Sequence, residues 1–161
     1  MKMTGRKAFL SVILFVVFLF VAVPGHSQDK DMGGWEKGGT YDQLYKASEL
    51  DRLKCTVKKT VEVVPLKGMS AGVALIVEDG DGEEIKVHVG PKWYLGDSTG
   101  ISRGDKLKIR GSWAEIDGKD VFMASKIKKG DYFELKVRLT KDGTPFWTMT
   151  PEELAREQAQ E

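Results

Sequence analysis

The sequence is short of the residues that build most catalytic and metal sites. Among its 161 residues there are one cysteine, Cys55, and two histidines, of which His26 falls in an apolar N-terminal stretch. A single cysteine cannot form an internal disulfide, and its alternation with Val57 predicts a buried, inert thiol on a strand. No serine or cysteine lies in a nucleophile elbow, and no pair of carboxylates is placed by its spacing. We therefore expect a protein that is not an enzyme, with no catalytic residues, no cofactor and no metal.

The chain also lacks a large excess of charge of either sign. Its formal net charge is +1, but Lys2, Arg6 and Lys7 lie in the first 27 residues without an acid, which leaves −2 for the rest. A mildly acidic body argues against a nucleic-acid or anionic-membrane partner. Lys106, Lys108 and Arg110 form the one basic stripe that would oppose this expectation.

Long apolar runs are absent except for residues 8–23, which follow a short basic start. Pro24 ends this run, and Gly25 and Ser27 supply small residues for cleavage before Gln28, which is the layout of a secretory signal peptide. Because sixteen apolar residues fall just short of the roughly 17–25 that span a bilayer, an uncleaved inner-membrane anchor facing the periplasm is the alternative. The sequence thus predicts a periplasmic or secreted protein, with membrane contact only if this segment is retained.

Beyond this stretch the chain divides by its periodicity. Residues 29–39 are polar and rich in glycine and predict a flexible linker, followed by a short extension up to residue 52. From residue 53 the apolar period becomes two, which is typical of strands. The predicted strands are 53–65, 73–78, 84–89, 106–115, 119–127 and a further one at 132–140. The predicted divisions are 1–27 signal peptide, 28–52 linker and extension, 53–148 β-domain and 149–161 polar helix.

The order of these strands predicts an all-β fold. Three strands, a connector at 92–101 and two more strands match the five-stranded OB-fold barrel. The strand at 132–140 adds an extra C-terminal strand or hairpin. A signal or anchor helix precedes the barrel, and a capping box at Thr150 with Pro151 starts a short C-terminal helix.

Three sequence patterns resemble a family of small exported bacterial OB-fold proteins. They are His88-Val89-Gly90-Pro91-Lys92-Trp93-Tyr94-Leu95, then Gly104-Asp105-Lys106-Leu107-Lys108-Ile109-Arg110-Gly111-Ser112, and finally Gly143-Thr144-Pro145-Phe146-Trp147. The resemblance covers about residues 56–147 and implies an OB fold without an established activity, to which a DNA-binding role is often assigned by analogy. The chain departs from the family at Lys59, where a glycine usually kinks the first strand.

The candidate ligand-binding residues are few. They are Lys86, His88, Trp93, Tyr94 and Trp113. We interpret His88 as hydrogen-bonded to a neighbouring loop, with a soft-metal site shared with Met69 as the weaker alternative. Trp93 and Tyr94 are interpreted as a plug that closes the barrel, with a ligand-stacking platform as the alternative.

Together these patterns favour an exported, non-enzymatic OB-fold binding or accessory module of the bacterial cell envelope. Its expected partner is an envelope protein or a small ligand. Two alternatives stay open: a nucleic-acid or polyanion-binding OB protein, and a membrane-anchored accessory subunit of an envelope complex.

Overall fold

A computed structural model of the protein describes residues 31–160. The predicted signal peptide, its cleavage site and the alternative anchor lie outside these residues. Within them, no helix combines the length and apolar character that crossing a bilayer requires. The described residues form six strands and two α-helices: β1 (Leu50–Val63), β2 (Gly72–Asp79), β3 (Glu84–Pro91), α1 (Lys92–Leu95), β4 (Lys106–Ile116), β5 (Lys119–Lys129), β6 (Phe133–Lys136) and α2 (Pro151–Ala159).

The six strands form one sheet that closes on itself. Neighbours in the order β3-β2-β1-β4-β5-β6 pair antiparallel, and a short parallel pairing of β3 with β5 completes a ring of five strands. One edge of β5 is taken by β4, so β3 and β6 share the other edge, at Phe122–Met123 and at 126–129 respectively. The sequence-based prediction of a mainly β structure with a short C-terminal helix is therefore confirmed.

The long first strand bends at an irregularity rather than at a glycine. The pairing of β1 with β2 shifts between Val57 and Lys59, leaving one extra residue on β1. Such a bulge bends a strand and increases its twist. It lets the first half of β1 pair with β4 and the second half pair with β2. The bulge therefore accounts for the bend of β1, although Lys59 stands where a glycine usually kinks this strand.

The interior of the ring is filled by the apolar residues that alternate along the strands. Large members of this core with almost no exposed surface are Val57, Leu75, Val77, Val87, Ile109, Phe122 and Ile127. Cys55 is also buried. Burial, with a smaller contribution from Asp79, raises the pKa of its thiol to about 11, which fits the expectation of an inert cysteine.

Of the two C-terminal elements, the predicted strand ends early and the predicted helix begins where expected. The last strand is shorter than 132–140, because β6 ends at Lys136 and is followed by a single bridge between Arg138 and Pro145. The C-terminal helix begins as predicted: the Thr150 hydroxyl accepts from the Glu153 N–H, and the Glu153 carboxylate accepts from the Thr150 N–H.

Residues 31–39, which were predicted to belong to a flexible linker, pack against the sheet instead, together with the extension that follows them. Trp35 is 1% exposed, and Tyr41 and Tyr45 are buried as well. The indole N–H of Trp35 donates to the carbonyl of Ser70 at 3.1 Å. We call residues 31–49, which carry these three rings, the covering segment.

Candidate functional site

The covering segment crosses the outer side of the sheet, where β2 and β3 would otherwise be open. Tyr41 lies beside His88 on β3, and the backbone of Lys46 exchanges two 3.0 Å hydrogen bonds with the hydroxyl of Ser112 on β4. In the register, His88 is opposite Ala74 of β2 and Met123 of β5. All three are buried, so this side of the sheet is occupied by the chain's own residues.

The C-terminal part of the fold holds the covering segment in place. The Trp147 indole N–H donates to the carbonyl of Trp35 at 2.8 Å, and the two rings meet edge to face at 5.8 Å. Arg138 is 3% exposed and forms an ion pair with Asp42. Its guanidinium lies 4.9 Å from the ring centre of Trp147 and 5.5 Å from that of Tyr45. This arrangement is an aromatic cluster that joins the covering segment to the C-terminal part of the fold and is continuous with the hydrophobic core.

The predicted site residues are not brought together by this arrangement. Lys86 is exposed although it shares its side of β3 with His88, because the covering segment lies over His88. Trp113 is half-buried on β4, packs edge to face on Phe122 at 5.0 Å and donates its indole N–H to Asp51 at 3.0 Å. That hydrogen bond, more than any other cause, holds the pKa of Asp51 below its usual value.

The interpretation of Trp93 and Tyr94 as a buried plug was wrong. Trp93 is 42% exposed and Tyr94 is 37% exposed on the short helix α1. Tyr94 reaches Trp147 at a ring-centre distance of 6.0 Å. The buried tryptophans are instead Trp35 and Trp147, which are 1% and 6% exposed.

His88 is hydrogen-bonded to a neighbouring segment, as interpreted from the sequence. Its Nδ1 lies 3.0 Å from the hydroxyl of Tyr41, which belongs to the aromatic cluster. Burial, with a smaller contribution from Lys86, lowers the pKa of His88 from 6.5 to about 4. The ring is therefore neutral at neutral pH. Among residues 31–160, no group of three or more His, Cys, Asp or Glu side chains is placed to hold a metal ion.

Acidification should destabilise the fold between pH 6.5 and about 4 because of His88. In this interval the unfolded state binds a proton that the folded state excludes, so stability present above pH 6.5 is lost as the pH falls. The pKa difference corresponds to a loss of up to about 3 kcal/mol. Urea midpoints across this pH range measure it. His88→Gln, which stays neutral, should flatten the dependence, and an unchanged slope in this variant would contradict the assignment.

The most distinctive exposed surface lies on the outer face of β1, β4 and β5. Seven cations point outward there, and we call them the basic face: Arg52, Lys54, Lys106, Lys108, Arg110, Lys126 and Lys128. The register sets them in rows across the strands. One row joins Arg52, Arg110 and Lys126, and the next joins Lys54, Lys108 and Lys128.

These rows break a rule of sheet stability. Like charges directly opposite each other on neighbouring strands repel, and sheets commonly place opposite charges there. On this face Lys54 stands opposite Lys108, and Arg52 stands opposite Arg110. Sites that violate a stability rule without an evident compensating gain are often functional.

Within the described part of the chain, ion pairing on the basic face is confined to one side. Glu134 of β6 pairs with Lys126 at 3.4 Å and with Lys128 at 2.8 Å. Between residues 31 and 160 no ion pair engages the cations of β1 and β4, which are Arg52, Lys54, Lys106, Lys108 and Arg110. The face therefore presents positive charge to solvent.

Two grooves run between these side chains. One, of about 380 Å³, lies between the rows and is lined mostly by their cations, from Arg52 to Lys128. The other, of about 360 Å³, continues from it and ends at Glu78, Asp79 and Asp131. The basic face is thus bounded by carboxylates at one end.

Sequence reasoning identified only the β4 stripe of this face. Lys106, Lys108 and Arg110 alternate visibly along one strand, whereas the cations of β1 and β5 join them through the strand register. The available signal was that these cations occupy alternate positions within each predicted strand. Combining the three strands into one face also requires β4 to lie between β1 and β5, which is the order of strands in an OB fold.

A model of the MamS/MamX magnetosome protein family matches residues 49–134 of the chain. The match begins just before β1 and ends in β6, so it contains all seven residues of the basic face. Trp35 and Trp147 lie outside it. A comparison with curated proteins finds no match.

Proposed function

The chain belongs to the MamS/MamX magnetosome protein family, and from that premise we propose that it is an exported, non-enzymatic OB-fold binding module that docks on an anionic partner through its basic face. The name of the family refers to magnetosomes, and we propose that the protein docks there. Export rests on the layout of residues 1–27, which is that of a secretory signal peptide.

The OB assignment is supported by the connectivity of the sheet. Five strands close in the ring β1-β2-β3-β5-β4, and α1 falls between β3 and β4, which is the arrangement of an OB fold. OB domains commonly bind ligands on strands two and three. In this chain His88 on that surface is covered by Tyr41. We therefore expect a partner to bind on a different surface of the sheet.

The observation that carries the proposal is the set of rows of cations across β1 and β4, which form no ion pair with any other residue from 31 to 160. A surface of one sign attracts partners of the opposite sign and steers their approach. Since Lys54 and Lys108 repel each other across the strands, an anionic partner would relieve that repulsion as well as gain its own contacts.

Reversing charge on the basic face should release the protein from isolated magnetosomes. We expect wild-type protein to stay bound in a low-salt wash and to leave in a high-salt wash, because salt screens exposed charges. The variant Lys54→Glu/Lys108→Glu/Arg110→Glu should leave already at low salt. Immunoblots of the washed fractions measure this.

The matched control changes three exposed lysines away from the face, Lys37→Glu/Lys67→Glu/Lys141→Glu. It alters the net charge in the same direction and by the same amount, and it should behave as wild type. If the wild type and the face variant both resist the high-salt wash, attachment is not electrostatic. That result would favour the membrane-anchored alternative instead.

A further inference from the structure

The basic face already holds one carboxylate, and the way it does so indicates the chemistry of the partner. From β6, Glu134 reaches across to Lys126 at 3.4 Å and Lys128 at 2.8 Å on β5, and it also lies 3.6 Å from Lys136 on its own strand. Its side chain is 24% exposed. One acidic side chain of the protein is therefore seated among three lysines, next to the cations of β1 and β4, which form no ion pair within residues 31–160.

The spacing of the remaining cations suits a series of carboxylates. Lys106, Lys108 and Arg110 are separated by two residues each along β4. On a strand this places them about 6.8 Å apart. Alternate side chains of any extended peptide have the same spacing. Arg52 and Arg110 add planar guanidinium groups, which bind carboxylates through two parallel hydrogen bonds.

The borders of the face argue against an extended anionic surface. Glu78, Asp79 and Asp131 line the end of the groove and would meet the headgroups of an anionic bilayer laid flat on the face. A membrane-binding surface draws about 1 kcal/mol from each nearby lysine or arginine, and acids at the same level oppose it. A short polypeptide segment can lie in the other groove, between the two rows, which these acids do not line.

The composition of the grooves argues against single-stranded nucleic acid. Both grooves are lined by cations, aliphatic residues and small polar residues, and the described lining contains no aromatic ring. Binding of single strands draws about 1–3 kcal/mol from each base that stacks on an aromatic side chain. Contacts to phosphates alone would bind a single strand only weakly, and added salt would abolish that binding.

We propose that the anionic partner is an acidic polypeptide segment, bound in extended conformation on the basic face with alternate Asp or Glu side chains directed at the β4 cations. This inference rests on the proposed function and specifies its partner. The carboxylates of the segment pair with the cations of β1 and β4 in the way that Glu134 pairs with Lys126 and Lys128 of β5.

The test is a fluorescence-anisotropy titration of the protein as purified from its native host. The probes are a short labelled peptide in which Glu and Ser alternate, a peptide of the same composition with the glutamates in one block, and an oligothymidylate of equal charge. Vesicles of phosphatidylcholine with phosphatidylserine are tested by co-sedimentation. The alternating peptide should bind several-fold more tightly than the block peptide and the oligothymidylate.

The variants place this binding on the face. Lys54→Glu/Lys108→Glu/Arg110→Glu should weaken binding of the alternating peptide by at least tenfold, and Lys37→Glu/Lys67→Glu/Lys141→Glu should change it less than twofold. Thermal melts of both variants confirm that they are folded. Tighter, face-dependent binding of the oligothymidylate or the vesicles would overturn the acidic-polypeptide assignment and leave the proposed docking function standing. Equal loss of binding in both variants, or none in either, would overturn both.

Discussion

Replacing Trp35 with alanine should destabilise the protein by about 3–5 kcal/mol, the range for truncating a large buried aromatic side chain. Trp35 is the largest of the fully buried side chains and is 1% exposed. It packs edge to face on Tyr41 at 4.9 Å and on Trp147 at 5.8 Å. Its removal leaves a cavity and also leaves the Ser70 carbonyl without the indole N–H that it accepts.

Equilibrium unfolding in urea measures this loss. The matched control is Tyr132→Ala, because Tyr132 is a fully exposed aromatic and surface substitutions usually stay within about 0.5 kcal/mol. If the Trp35 variant unfolds within about 1 kcal/mol of wild type, the covering segment contributes little to the fold. The outer side of β2 and β3 would then be open for a ligand, against our account.

Removing the guanidinium of Arg138 should have an effect of similar size. Arg138 and Asp42 form a buried ion pair, with side-chain exposures of 2% and 14%, and breaking such a pair from one side costs about 3–5 kcal/mol. In Arg138→Met, Asp42 keeps its charge without its partner, and the Gly143 carbonyl loses a 2.9 Å hydrogen bond. Urea midpoints for the single variant and for Arg138→Met/Asp42→Asn measure both effects.

The double variant should recover part of the loss, because no uncompensated charge stays buried. Lys58→Met is the control for an exposed ion pair: Lys58 and Glu78 are 45% and 41% exposed, so its effect should be within about 1 kcal/mol. If Arg138→Met is as mild as Lys58→Met, the ion pair does not hold the covering segment on the sheet.

The strands were largely predictable because their apolar residues alternate. The predicted starts at 84, 106 and 119 agree with β3, β4 and β5, and the Asp-Gly pairs marked the turns between them. The long β1 was placed within a few residues. The sequence did not indicate the bulge at Lys58. This bulge arises because β1 pairs with two strands, β2 and β4.

The covering segment was not predictable from local composition. Glycines around Trp35 are typical of a linker, and its burial depends on partners far along the chain. Gly72 illustrates this: a Cβ at that position would collide with the Trp35 ring, so the ring needs a glycine 37 residues away in sequence. An isolated tryptophan in a glycine-rich stretch was the available signal. The same dependence on tertiary contacts explains why Trp93, which looked like a plug, is exposed.

The basic face was predictable in part. Lys106, Lys108 and Arg110 were identified as an outward stripe, and the low net charge argued against its importance. Net charge, however, averages over the whole molecule. The strand register concentrates seven cations on one face and leaves carboxylates such as Glu78 and Asp79 at its border. The net charge of the sequence does not show this separation of positive and negative side chains.

The most direct test of the account is zero-length carbodiimide cross-linking of the protein to the alternating Glu-Ser peptide, with the linked lysines identified by mass spectrometry. A carboxylate bound on the basic face lies within bonding reach of the lysine amines there. The account predicts links concentrated on Lys54, Lys106, Lys108 and Lys128, and lost in high salt. Links spread evenly over Lys37, Lys67 and Lys141, or concentrated on Lys86, would contradict it.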